Sequence, residues 1–198
     1  MSRLIFSFIF SCLIVLPAYA QMKTEPFDIG TVVHSKFDTS QVFSVAHYWL
    51  PEDKQFSESD ANKKVACVEN ELKATGIYSE IKTYLFETIK ENSRGLEIQV
   101  EYPDEFERFV ISDIYLEGFP EIEPAKFQAA LDVRGVELII PFLKYKFDKL
   151  EDKIFSAFRE AYPKYLRQKD YGSKLWILVR LSGDKQVRLV VSPTSPEC

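Results

Sequence analysis

Only seven glycines, two histidines and two tryptophans occur in the 198 residues, and each scarcity excludes something. Seven glycines leave little room for a phosphate cradle, and no P-loop, G-x-G-x-x-G fingerprint or G-x-S-x-G elbow is present. His34 and His47 fall on separate candidate strands, without the H-x-x-x-H or H-E-x-x-H spacing that brings two imidazoles to one metal. No metal site is therefore expected, and His47 reads as a strand residue beside Tyr48 and Trp49. None of the three cysteines forms C-x-x-C, which argues against dithiol redox chemistry. The acidic pairs Asp104–Glu105 and Glu121–Glu123 lie in polar linker beside prolines and read as solvated surface, not as glycosidase carboxylates. Ser35 and Lys36 cannot form a dyad, because adjacent strand residues point to opposite faces. Neither a catalytic constellation nor a cofactor is expected.

Basic charge is also in short supply: 25 Lys and Arg stand against 30 Asp and Glu, a net charge of −5. That balance argues against nucleic acid or anionic membrane as the main partner, since both reward clustered cations. Long apolar runs are confined to the start. Arg3 is followed by apolar Leu4–Leu16, then Pro17 and Ala18-Tyr19-Ala20, the layout of a cleavable export signal with an A-x-A site. The run is shorter than the ~20 residues of a spanning helix. Cleavage after Ala20 leaves 178 of the 198 residues and removes one cation, so that 24 basic residues face 30 acidic ones, a charge of −6. The mature chain is expected to be exported, to the periplasm of a Gram-negative envelope or secreted, without a membrane span.

The 46% hydrophobic and 14% aromatic content is enough for a packed core. Residues 21–41 read as an extension with a strand near Thr31–Phe37. Val42–Leu50, rich in aromatic and β-branched residues and closed by Pro51, reads as a strand. A helix follows, capped by Ser57 or Ser59 and running to Ala74, with Gly76 as its left-handed stop. Ile77–Ile89 alternates as a half-buried strand, Lys90–Gly95 is a polar turn, and Leu96, Ile98 and Val100 mark the next strand, ended by Pro103. Phe109–Leu116 reads as another strand. Pro124–Asp132 reads as a helix stopped by Gly135, and Phe147–Tyr162 as a second helix presenting Leu150, Ile154, Phe158, Ala161 and Tyr165 on one face. Pro163 must kink or restart that helix. Leu175–Leu181, a Ser182–Lys185 turn and Gln186–Val191 form a closing hairpin, followed by a tail over 192–198 that is expected to be mobile. Trp49, Tyr162 and Trp176 read as core residues.

Two cysteines survive maturation. On the helix over Asp60–Thr75 the apolar stripe is Ala61, Val65, Val68 and Leu72, and Cys67 falls off it beside Lys64 and Glu71, which reads as a polar face. An oxidising compartment permits Cys67 to pair with Cys198; two free or intermolecular thiols are the alternative.

Leu72-Lys73-Ala74-Thr75-Gly76-Ile77-Tyr78-Ser79-Glu80-Ile81 is similar to the L-x-x-[ST]-G-x-[FY]-x-x-V helix-to-strand turn of polypeptide-transport-associated (POTRA) domains. Ile111-Ser112-Asp113-Ile114-Tyr115-Leu116-Glu117-Gly118 resembles that family's opening strand. The resemblance implies an α+β chain of two tandem β-α(-α)-β-β units, one over 42–103 and one over 108–191, with helices on one face of short mixed sheets. The sequence departs from the family in two places. The first unit reads as lacking a helix after its opening strand, and the second carries Asp170-Tyr171-Gly172 where a G-[YF] pair is expected. No barrel sequence follows Cys198, which suggests a free-standing module.

The resemblance further implies a non-enzymatic scaffold or chaperone-like adaptor for envelope proteins, an outer-membrane β-barrel or its unfolded precursor among them. Such units bind chains by adding a strand to an exposed sheet edge. The edges expected to serve are the strands carrying Ile81, Thr83 and Leu85, and Trp176, Leu178 and Arg180, unless the fold itself covers them. The competing expectation is a single α+β domain holding a small or lipidic ligand among Phe142, Phe147, Phe155 and Phe158.

Overall fold

The computed structural model describes residues 25–163, 175–193 and 198. The export signal expected over 1–20, Tyr165 and the Asp170–Gly172 segment lie outside them.

The first unit opens with strand β1 (Asp28–His34), then helices α1 (Ser40–Trp49) and α2 (Glu58–Thr75), and closes with β2 (Glu80–Glu87) and β3 (Ser93–Glu101). Its sheet has the order β1-β3-β2, with β1 parallel and β2 antiparallel to β3. The second unit repeats the plan with β4 (Val110–Leu116), α3 (Pro124–Val133), α4 (Phe147–Ala161), and the hairpin β6 (Trp176–Gly183) and β7 (Gln186–Ser192). A two-residue strand β5 (Ile140–Pro141) is added on the far side of β4, giving the order β5-β4-β7-β6. The chain is thus α+β, two tandem units on one topology.

Local chemistry accounts for the long helices. Ser57 caps α2 by accepting the Asp60 N–H at 3.2 Å, with Glu58 and Asp60 in the positively polarised first turn. Gly76 ends α2 at φ 70°, and a Cβ there would lie 3.1 Å from Leu181 Cβ of the second unit. On α4, Phe147, Leu150, Ile154 and Phe158 are buried at helical spacing, and the helix stops before Pro163.

Val42–Leu50 is not a strand: it forms α1 and the residue after it. Val42, Ala46 and Trp49 recur at the i, i+4, i+7 spacing of a helix, and all three are buried. That face outweighs the β preference of its Val, Phe, Tyr and Trp residues, which is a packing preference more than a backbone one. His47 is accordingly a helix residue, and the first unit does have a helix after its opening strand. The opening strand is β1, beginning at Asp28, seven-residue register matched to β3 from Ser93.

The apolar residues form two clusters, one per unit. Ile77, just past α2, belongs to the cluster of the second unit, while Tyr78 and Tyr102 pack against both. Between the units lies an aromatic chain in which Tyr102 meets Phe37 at 5.0 Å, Tyr78 at 5.0 Å and Phe106 at 4.1 Å between ring centres. Burial drives the Tyr78 hydroxyl pKa well above its ordinary value; it donates to the buried Gln41 Oε1 at 2.6 Å.

Cys67 does not sit on a solvated polar face. It is 1% exposed and is joined to Cys198 by a disulfide with Cα atoms 5.0 Å apart. Glu71, its neighbour one turn on, is also buried. The polar side of α2 is covered because the second unit docks against it.

Candidate functional site

Both strands carrying the expected binding residues are sheet edges, but their surroundings differ. On β2, Ile81, Thr83 and Leu85 register with Val100, Ile98 and Leu96 on the helix side of the sheet. Thr83 donates to Glu69 Oε2 of α2 at 2.9 Å, and Lys73 pairs with the same carboxylate. The Lys73 hydrogen bond, then that of Thr83, holds the Glu69 pKa below its ordinary value. Lys82, Tyr84 and Phe86 face outward, Tyr84 at 49% and Phe86 at 43% exposure. The Phe86 ring lies over Gly95, where an added Cβ would meet it at 2.2 Å, and Gly95 registers in turn with Gly30 of β1. The outer face beside β2 thus carries two exposed aromatic rings, that of Phe86 resting on the Gly95 backbone.

The residues on β6 face the first unit instead. Trp176 stacks edge-on against Tyr48 of α1 with ring centres 3.7 Å apart. Arg180 forks onto the buried Glu71 of α2, Nη1 to Oε1 at 2.8 Å and Nη2 to Oε2 at 3.4 Å. Leu178 lines a slot between the units, of about 70 Å³, whose other walls include Ser44 and Trp49 of α1 and Phe147 and Glu151 of α4. Ser44 donates to Glu151 Oε2 at 3.4 Å. Burial pushes the Glu151 carboxyl up, against that hydrogen bond, with Asp152 and Asp148 adding repulsion.

A second contact between the units caps α4. The Asp38 carboxylate, between β1 and α1, accepts the Phe147 N–H at 2.8 Å and the Ser40 N–H at 3.3 Å. Partial burial opposes its ionisation, but these bonds and the Ser40 hydroxyl outweigh it and hold the pKa below its ordinary value. Asp38 was not singled out from the sequence; the Asp38-Thr39-Ser40 run signals a cap, but not that it would cap a helix more than a hundred residues away.

Three of the four phenylalanines expected around a ligand, Phe142, Phe147 and Phe158, share the apolar core of the second unit. Phe147 lines the slot, Phe142 packs toward Phe106, and Phe158 is buried against Phe119 at 4.7 Å. Among the described residues no cluster of His, Cys, Asp and Glu could hold a metal ion, and no helix is long and apolar enough to cross a membrane.

No family model matches the chain, and no curated protein matches it. Among solved structures it is similar to POTRA1-2 of the periplasmic domain of Omp85 from Anabaena, at 13% identity and a TM-score of 0.28, covering 86% of this chain and 96% of that one. It is similar to CdiB from Escherichia coli at 12% identity and a TM-score of 0.29, covering 94% of this chain but 30% of that one. Haemophilus influenzae BamA POTRA3-5 matches at 10% identity and a TM-score of 0.31, over 84% of this chain and 59% of that one.

Proposed function

We propose that this is an exported, non-enzymatic adaptor of POTRA type that binds extended segments of envelope proteins by adding them to the edge of β2. An outer-membrane β-barrel protein, or its unfolded precursor, is the partner this reading names, and the periplasm its compartment. The observation that carries it is the contrast between the edges. In two copies of one β-α-α-β-β plan, β6 packs its side chains on the first unit while β2 presents its edge with Tyr84 and Phe86 exposed. Strand addition draws on backbone N–H and C=O groups and needs no special side chain, which fits a chain without a catalytic motif. The Leu72–Ile81 turn, the Ile111–Gly118 strand and the export signal expected over 1–20 support the same reading.

The test uses a labelled peptide copied from a transmembrane strand of a β-barrel protein, titrated by nuclear magnetic resonance. Expected are slowed hydrogen exchange at β2 amides and intermolecular contacts along that strand. Thr83→Pro and Tyr84→Pro are the controls: adjacent N–H groups alternate, so one proline removes an outward donor and spares the sheet. That variant, shown folded by circular dichroism, should lose the peptide. Binding that persists in it, or that maps to β6, would sink the proposal.

A further inference from the structure

The second sheet has an open edge of its own, on the side of β4 away from β7. There β5 pairs with Val110 and Ile111 only, through Pro141 and Ile140, and then the strand ends. From Ser112 to Leu116 the outward backbone groups of β4 have no neighbouring strand among the described residues. A cleft of about 830 Å³ runs along this stretch. Asp113, Ile114, Tyr115 and Leu116 line it in unbroken succession. Successive strand residues point to opposite faces, so all four meet one space only where the strand's edge is itself the wall. The facing wall is the loop from Gly118 and the first turn of α3. Phe119, Ile122 and Phe127, all nearly buried, make the cleft apolar, and Tyr115 stands 52% exposed at its side.

The charge around the cleft has one sign. Residues 113–128 hold Asp113, Glu117, Glu121 and Glu123 against Lys126 alone. Lys126 is bonded to Glu123 at 2.9 Å, and Arg188 of β7 lies 3.3 Å from Asp113. Glu117 and Glu121 are exposed and have no ion pair among the described residues.

We infer that this cleft takes an extended polypeptide segment as an added strand on β4, with apolar side chains in the cleft and a basic residue flanking them. Each part of that chemistry answers an observed feature. The open backbone edge selects an extended chain, because only a peptide supplies matching N–H and C=O groups at strand spacing. Four or so residues at ~3.3 Å each span the edge over Ser112–Leu116. Phe119, Ile122 and Phe127 select apolar side chains, and the acidic rim selects Lys or Arg over Asp or Glu. The site lies on the other unit from β2 and stands whether or not β2 binds a strand.

The experiment titrates the intact, oxidised protein with an acetylated, amidated peptide, Lys-Val-Ile-Thr-Val-Lys, by nuclear magnetic resonance. Expected are saturable shifts and slowed hydrogen exchange at the Ser112–Leu116 amides. The same peptide with Glu for both Lys should bind about tenfold more weakly at low salt, a gap that added salt closes. A strand pairs through alternate N–H groups, so of two peptides N-methylated on alternate sets one should lose binding and the other keep it. Ala125→Trp, on the exposed start of α3, should fill the cleft and abolish binding. Should that change disturb α3, the double variant Glu117→Lys, Glu121→Lys gives the second reading, because it leaves the lining intact and should reverse the preference toward the Glu peptide. Shifts confined to β2 amides would overturn the inference, as would equal affinity for the Lys and Glu peptides at low salt. Tolerance of both methylated sets would exclude strand pairing, and no response to any peptide would show the cleft closed to outside chains.

Discussion

β2 and β6 hold the same position in two copies of one topology, yet one is left open and the other is built into a joint. β2 alternates between half-buried and exposed residues, whereas β6 opens on the run Trp176–Val179 with no exposed position, because α1 and α2 of the first unit meet it. Their outer sides touch β6 and α4 through Tyr48, Glu71, Ser44 and the Asp38 cap, and the Cys67–Cys198 bridge closes the same surface. Nothing comparable follows the second unit among the described residues. Of the two edge strands, β6 is thus committed to holding the pair together and β2 is not.

Three experiments would break or sharpen that contrast. The largest effect is expected from Cys67→Ser, which opens a bridge spanning 131 residues; the chain-entropy model puts the loss at about 5 kcal/mol. Urea unfolding of oxidised and reduced protein checks it, and a difference below about 1 kcal/mol would mean that the non-covalent joint alone holds the units. Next is Arg180→Ala, which strands the buried Glu71 carboxylate and should cost about 2 kcal/mol. The matching change on the open edge, Lys82→Ala, removes an exposed partner of Glu80 and should leave the midpoint unmoved. Equal losses from the two substitutions would erase the distinction drawn here.

The smallest effect concerns acidity. The Glu151 pKa is raised above its ordinary 4.5, so its contribution is fully present below that value and is lost as pH rises through the folded-state pKa. Glu151→Gln should therefore melt higher than the parent at neutral pH, with the gap closing toward pH 4.5. Asp38 runs the other way: its lowered pKa gives stability above its ordinary 3.8 that disappears as pH falls through the folded value. Thermal scans of the parent and Glu151→Gln proteins across that range test both slopes, and a gap that widens on acidification would refute the sign for Glu151.

Elements with their own punctuation were readable from the chain. Ser57 and Gly76 bracket α2, Pro124 opens α3, and the alternation of Leu96, Ile98 and Val100 marks β3. What was not readable depended on a distant surface. Val42–Leu50 carries both a β-rich composition and a helical spacing, and only the sheet beneath it decides for the helix. Cys67 lies off the apolar stripe of α2, yet it joins the buried cluster of the first unit and is bonded to Cys198, a residue 131 positions away. The slot is illegible for the same reason: Trp49 and Trp176 are 127 positions apart, and each alone reads as an ordinary core residue.

The bridge also imposes an order of events. Cys198 lies beyond every strand of the second unit, so while the chain is being made its partner Cys67 has already emerged and must wait. During that interval the thiol is a reactive group on an unfinished molecule, open to capture by any oxidant or mixed-disulfide partner. Closing the ring then requires that the second unit has been made and has docked on the first, and a chain cut short before Cys198 would carry a free thiol as its mark.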